Sequence, residues 1–373
     1  MSDVKDQMEG EYKMNEKKRW AIVGAGNGGQ AFAAYLGLQG LEISVYDVFQ
    51  DTVDKLNELG GVNISGNSKL TGFGKIAFAD TDIGKVIDGA EVILVILPSI
   101  YHKEVAEKMA PHLKDNQTVI INPIAPLGTI EFRKILDDNG CKSNITLAGT
   151  NTLLFACRLI EQGKVQISGQ KIELSIAAYP SSRNEQVKKL TKMYFPEFKY
   201  VSDILAVSFN NMNYEFHPGP TLLYTAMIES NIDFEYYTDF VPSQVKLIEA
   251  IDKERLELCS AYGIEAVDTA QYFRDLYGYE GELHKMITNA ECYKGIKGPK
   301  SLKVRYLMED VPYALRAIQT LAKIAGIQTT AIDTVVNLSY ILLGDELDEG
   351  RTLANLGLSE NTTVDDIINM CRN

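Results

Sequence analysis

Histidine is scarce: His102, His112, His217 and His284 are all that 373 residues contain. Chemistry that needs a base titrating near neutral pH therefore has four candidates. Cysteine is nearly as sparse. Cys141, Cys157, Cys259, Cys292 and Cys371 are odd in number and never spaced as CxxC, which argues against a disulfide scaffold and a metal site and predicts small, buried, apolar side chains. Long apolar runs are absent too: nothing reaches the roughly 18 residues of a membrane span, and the first 18 residues lack the apolar core of a secretory leader. The expectation is a flexible tail over 1–18 on a cytoplasmic protein with no membrane partner. Basic runs are missing, with 37 Lys+Arg against 50 Asp+Glu and a net charge of −13, so a nucleic-acid partner is excluded.

What is present is an ordinary globular composition, 45% hydrophobic and 23% charged, in a chain long enough for two domains of about 150 residues or more. Arg19 to Val23 reads as a buried strand that runs into Gly24-Ala25-Gly26-Asn27-Gly28-Gly29. A helical stretch over 30–39 stops at Gly40, and Glu42 to Tyr46 forms a second strand ending at Asp47. This is a βαβ unit. Further alternation follows: a helix over 49–59, a hairpin over 62–80, a β-branched strand Glu91 to Leu97 ending at Pro98, helices over 103–113 and 129–139, and strands Thr118 to Ile121 and Ile145 to Ala148. The strands over 165–178 are expected to extend the same sheet. From about residue 205, apolar spacing of 3.6 residues dominates over 221–229, 242–262, 269–276, 311–325 and 331–343. The predicted fold is α/β: a Rossmann-type doubly wound sheet over 19–204, followed by an all-α domain over 205–373.

Gly24, Gly26 and Gly29 form G-x-G-x-x-G in the context that gives that pattern meaning, a turn between a strand and a helix. The first glycine permits the tight turn, the second admits a pyrophosphate, and the third lets helix and strand approach. Phosphates then meet the free N–H groups of the helix start, around Asn27 and Gly28. Asp47, 23 positions after Gly24, is placed to accept hydrogen bonds from a ribose diol, although a carboxylate there can also cap the helix that follows. No Arg or Lys occurs in Val48 to Asp51 to receive a 2′-phosphate, so NAD, as NADH, is preferred to NADP. Pro98, at the end of its strand, is expected beside the nicotinamide. His102 reads as a surface or helix N-terminal residue.

Five segments in order carry a resemblance: Gly24 to Gly29; Ile96-Leu97-Pro98 with His102; Thr150-Asn-Thr-Leu-Leu-Phe-Ala-Cys-Arg158; Asn213-Tyr-Glu-Phe-His217-Pro218; and Arg305-Tyr-Leu-Met-Glu-Asp310-Val-Pro312. Over about residues 19–345 the chain resembles the opine dehydrogenases, the octopine/nopaline dehydrogenase family. The resemblance implies an NAD(P)-dependent oxidoreductase acting on CH–NH bonds, which joins an amino acid to a 2-oxo acid, pyruvate foremost, to give an N-(carboxyalkyl)amino acid. It places the catalytic histidine on His217 and its orienting carboxylate on Asp310, with Glu309 as second choice, and a carboxylate-binding arginine on Arg305. Arg158 and Asn213 fall in matching segments and are carried as substrate-binding candidates. One departure stands out, because the residue before Thr150 is Gly149 where relatives often carry Glu. From the residues alone, a histidine before proline in a loop, or an aspartate capping the helix at Val311-Pro312, is an ordinary feature.

Two other readings share the two-domain plan: a 2-hydroxyacid or polyol-phosphate dehydrogenase that reduces a carbonyl directly, and a non-catalytic NAD-sensing regulator. The amino-acid partner depends on which helical-domain side chains face the cleft, with Tyr224, Tyr272 and Tyr293 as candidates. A homodimer is compatible with the long helices.

Overall fold

The computed structural model describes residues 18–373, so the tail expected over 1–18 lies, apart from Lys18, outside the described residues. An eight-stranded sheet is the frame. Its order is β12 (Phe198–Tyr200), β11 (Leu174–Tyr179), β8 (Thr146–Thr150), β7 (Thr118–Ile121), β6 (Val92–Val95), β1 (Arg19–Val23), β2 (Glu42–Tyr46) and β5 (Phe78–Asp80). From β8 to β5 every pair is parallel, and β11 enters antiparallel to β8. In the centre, Trp20–Val23 pairs with Val92–Val95 on one side, while Arg19–Val23 pairs with Glu42–Tyr46 on the other. All four residues of β6 are buried, as its β-branched sequence requires of a strand covered on both faces. Trp20, fully buried, packs edge-on against Tyr194.

A second sheet of four strands, β4 (Gly72–Lys75), β3 (Gly61–Gly66), β10 (Lys164–Gln170) and β9 (Phe155–Glu161), lies over the helix Asn27–Leu38. It corrects the expectation for 165–178. Only β11 extends the main sheet; β10 leaves it to pair parallel with β3 and antiparallel with β9. Alternation along β10 is real, with Val165 and Ile167 buried, but alternation does not say which sheet receives them. The hairpin read over 62–80 is β3 with β4, while β5 beyond it forms an edge of the main sheet.

From Ile204 onward the chain is helical, the longest element being Pro242–Ala261. The helix expected over 221–229 divides into Pro218–Leu223 and Thr225–Glu229 at Tyr224, whose ψ of 1° leaves the helical range and whose ring packs with Phe234, Tyr236 and Phe240. A closing helix, Val364–Arg372, returns to the sheet side, where Arg372 Nε donates to the buried Asp203 carboxylate at 2.8 Å. Among the described residues no helix is long and apolar enough to cross a membrane. Of the cysteines, Cys141, Cys259 and Cys371 are buried as expected, Cys157 is half-buried and Cys292 is exposed.

Candidate active site

At the carboxyl end of β1 the chain turns through Gly24, whose φ of +99° disfavours other residues, into the helix Asn27–Leu38. A Cβ on Gly29 would stand 1.7 Å from the Gly24 carbonyl oxygen, so this position must be glycine for helix and turn to pack. Gly26 differs: an added Cβ meets nothing within 4 Å. Open space above Gly26, at a helix start where N–H groups point outward, is what a bound pyrophosphate needs. Asn27 accepts a hydrogen bond from the Leu159 backbone N–H at 2.9 Å, so its side chain ties the turn to β9. The Asp47 carboxylate accepts from Ala25 N–H at 2.7 Å and Phe49 N–H at 3.0 Å. It stands beside the turn, and the following helix begins with Phe49 as its N-cap instead. These residues fit a dinucleotide.

His217 lies at the junction of two short helices, Asn213–Phe216 and Pro218–Leu223, and not in a loop as its Pro neighbour suggested. The segment before it is anchored from beneath. Glu215, fully buried, sits 2.9 Å from Arg255 Nε and accepts from Thr269 Oγ1 at 2.6 Å, while Asp252 Oδ1 accepts from Nε and Nη2 of the same guanidinium. Burial pushes the Glu215 carboxyl up to about 7, with Arg255 opposing.

The imidazole of His217 is 4% exposed and held at both nitrogens. Asp310 Oδ2 is 2.7 Å from Nδ1, and the Tyr237 hydroxyl is 3.0 Å from Nε2. Because a carboxylate only accepts, Nδ1 is the donor to Asp310, and in the neutral ring Nε2 is left to accept from Tyr237 O–H. Tyr306 stacks on the ring at a centroid distance of 4.1 Å, fixing its plane. Asp310 does sit at an N-cap position, that of the π-helical turn Val311–Leu315, yet its side chain caps nothing and turns to His217. Such turns recur where a helix must aim one side chain off its regular face.

Glu309 points the other way. Its carboxylate accepts the Ser99 N–H at 2.9 Å, just past Pro98, and so joins the His217 side of the cleft to the end of β6. Burial, with the neighbouring Asp310 charge adding, raises its carboxyl above the usual range. Arg305 Nε is 3.7 Å from Glu309, and its side chain, 53% exposed, is not among those that line the cavity beside His217.

A cavity of about 80 Å³ opens onto this group. His217, Tyr237 and Asn213 line it, as do Asn151 and Thr152 after β8 and Lys171 before β11. Tyr272 and Tyr293 face it as expected, whereas Tyr224 is buried elsewhere with its hydroxyl on the Tyr236 carbonyl. Arg158 is not part of it; the residue is exposed on β9, paired with Gln166 in the second sheet. His102 is no surface residue. It begins its helix but is 1% exposed, donating Nε2–H to the Leu97 carbonyl, because its ring packs against Phe132. Gly149 has a packing reason: a Cβ there would stand 2.5 Å from Ile124 Cγ2, leaving no room for a glutamate. Among the described residues no cluster of side chains suited to a metal occurs. Tyr237, Tyr306 and Lys171 carried no local pattern that would have selected them.

The comparisons with known proteins fall on the same two halves. Residues 19–123 match the model of the NAD-dependent glycerol-3-phosphate dehydrogenase N-terminus, and residues 200–343 match that of the NAD/NADP octopine/nopaline dehydrogenase alpha-helical domain. The chain is 33% identical to an opine dehydrogenase from Arthrobacter sp. (strain 1C) over 354 residues, 94% of this chain and 98% of the relative. It is 26% identical to a vitopine synthase from Allorhizobium ampelinum over 91% of this chain and 95% of the relative. Its fold is shared by octopine dehydrogenase solved with NADH and L-arginine, at a TM-score of 0.80 and 19% identity, covering 96% of this chain and 99% of that one. A Rossmann-type nucleotide domain, the octopine-type helical domain and near full-length similarity to a curated relative together make this chain a member of the opine dehydrogenase family of oxidoreductases.

Proposed function

We propose that the protein is an NADH-dependent opine dehydrogenase acting on CH–NH bonds, which condenses an amino acid with a 2-oxo acid, pyruvate first among candidates, and reduces the product to an N-(carboxyalkyl)amino acid. One observation carries this reading: the buried line Asp310–His217–Tyr237 ends in a cavity at the carboxyl edge of the nucleotide-binding sheet. Octopine dehydrogenase has been solved with NADH together with L-arginine or with pyruvate, which supports the same pair of reactant classes here. We divide the chain for this purpose into a nucleotide domain over 19–204 and a catalytic domain over 205–373.

In this scheme Gly26, with Gly24, Asn27, Gly28 and Gly29 around it, admits the pyrophosphate, Asp47 receives the ribose hydroxyls, and Pro98 borders the nicotinamide. Bound NADH supplies the hydride that reduces the carbon–nitrogen double bond. His217 handles protons. Its Nε2 takes one from the substrate ammonium, directly or through Tyr237, so that the free amine can attack the keto carbon, and later returns one to the departing oxygen. Asp310 stabilises the imidazolium that forms between those steps and holds the ring in the required tautomer. Arg305, half-exposed beside Glu309, binds a reactant carboxylate, for which a guanidinium fork is suited. Asn213 donates to the substrate from the cavity wall, and Arg158 has no role.

Direct carbonyl reduction and cofactor sensing are the alternatives, and one assay separates all three. NADH oxidation is followed with pyruvate alone, with a panel of amino acids alone, and with both. The proposal expects turnover only with both. Oxidation with pyruvate alone identifies a hydroxyacid dehydrogenase, and tight NADH binding without turnover identifies a regulator.

A further inference from the structure

The cavity beside His217 contains a cation, Lys171, that no carboxylate among the described residues pairs with. Lys171 stands in the short turn between β10 and β11, at the edge where the parallel strands end, with its backbone N–H fixed to the Leu154 carbonyl at 3.0 Å. Among the described residues its ammonium makes no ion pair and no hydrogen bond. Lys69 and Lys114, in contrast, each hold a carboxylate within 2.6 Å while about half or more exposed to water. Among the described residues no Asp or Glu lines the cavity; its polar wall includes Asn151, Asn210, Asn211 and Asn213 beside His217 and the tyrosines. Burial lowers the affinity of Lys171 for its proton, with the Cys292 sulfur opposing. An unpaired ammonium in such a place is costly unless an anion arrives with the ligand.

Two reactants, each with a carboxylate, require two cationic anchors. Arg305 is one, but it is not among the residues lining the cavity and interacts with Glu309 and Asp310, so part of its charge is already answered. We infer that Lys171 is a substrate-binding residue, which holds a reactant carboxylate inside the cavity while the amide side chains around it complete the oxygen's hydrogen bonds. The inference rests on the proposed function for the identity of the reactants, yet it concerns a different residue, contributed by the nucleotide domain. It also bears on selectivity. A cavity with one cation and no carboxylate admits amino acids with neutral or acidic side chains more readily than those with an ammonium or guanidinium.

The test compares the wild-type protein with Lys171→Met, which keeps the volume, and Lys171→Arg, which keeps the charge. Expected for Lys171→Met is an increase of about 10- to 100-fold in KM for one reactant, the range of a charge-assisted hydrogen bond. kcat changes by less than about threefold, NADH affinity is unchanged, Tm is equal or higher, and Lys171→Arg recovers part of the loss. A shifted pyruvate KM assigns Lys171 to the oxo acid, and a shifted amino-acid KM assigns it to the amine partner. Both KM values within about twofold of wild type overturn the inference and leave the proposed function standing. If no pair of reactants turns over even in the wild type, the proposed function fails, and calorimetry of pyruvate and of the amino-acid panel binding to the protein–NADH complex decides separately. Binding that Lys171→Met abolishes still supports the carboxylate site, whereas equal binding, or none in the wild type, removes it. Should Lys171→Met not fold, Lys171→Gln serves under the same criteria.

Discussion

Replacing Asp310 with asparagine keeps the side-chain shape and removes one charge from a buried pair. In the native site Oδ2 lies 2.7 Å from His217 Nδ1, which puts the charge centres of carboxylate and imidazolium about 4 Å apart. At an effective dielectric of about 20, the attraction across that distance is about 4 kcal/mol. The amide dipole returns part of it, leaving a deficit of about 3 kcal/mol in the step where His217 carries the proton, or a fall in kcat of about 100- to 1000-fold. Asparagine adds a second fault. If its NH2 faces the ring, Nδ1 becomes the acceptor and the proton moves to Nε2, so the nitrogen facing Tyr237 can no longer accept. The assay is steady-state NADH oxidation with pyruvate and the preferred amino acid, with NADH affinity from fluorescence quenching as control. NADH affinity is expected within about twofold of wild type, because the dyad lies away from the Gly24–Gly29 turn. A double variant with His217→Ala should be no worse than His217→Ala alone, since the carboxylate acts through the ring. A kcat for Asp310→Asn within about threefold of wild type, or fully additive losses in the double variant, would refute the reasoning.

Three further predictions concern the nucleotide domain and its seam with the helices. Gly26→Ala, whose Cβ has open space, is expected to fold with unchanged Tm and to lose about 10- to 100-fold in NADH affinity, whereas Gly29→Ala, with its Cβ 1.7 Å from a carbonyl oxygen, should lose stability itself; thermal melts with and without NADH separate the two. Burial, with the Arg351 charge adding, holds His102 down to about 3 against an ordinary 6.5. A base with its folded-state pKa lowered contributes stability that is complete above about 6.5 and lost as pH falls toward about 3, so roughly 2–3 kcal/mol should be gone at pH 4.5 and His102→Gln should not show that component. Parallel Tm-versus-pH curves for the two proteins would contradict it. Arg351→Met strips the partner from Glu131 and two carbonyls in a fully buried setting and should cost about 3–5 kcal/mol in denaturant unfolding, and a change under about 1 kcal/mol would show the cluster to be dispensable.

How far the sequence reaches depends on how far apart the partners stand along the chain. The turn from Gly24 to Gly29 and the acid at Asp47 are one local unit, and local spacing identified them. Asp47 bonds Ala25, 22 residues away, within a single βαβ unit whose geometry admits few alternatives. His217 and Asp310 are 93 residues apart, and no periodicity joins them; the resemblance named them, and the fold supplies the 2.7 Å contact. Glu309 with Ser99, separated by 210 residues, was out of reach for the same reason, and the residue could be named only as a second choice behind Asp310. Arg158 illustrates the converse. Its motif is contiguous with Asn151 and Thr152, which do line the cavity, but the strand that begins at Phe155 carries the arginine off into a sheet that the alternation of Val165 and Ile167 could not assign.

Arg351 has a consequence for how the molecule fails. Its guanidinium donates to the Tyr313 carbonyl and to the Pro126 carbonyl, and its backbone N–H to the Pro312 carbonyl, so the turn that aims Asp310 is stitched to the nucleotide domain by a residue beyond the helical match at 200–343. The last thirty or so residues thus act as a keystone set after the arch is built. A chain clipped before Arg351 would keep the glycine turn and Asp47, while the carboxylate behind His217 lost its bearing. Damage at the carboxyl terminus would thereby yield a molecule that still recognises the dinucleotide and has lost the geometry for using it.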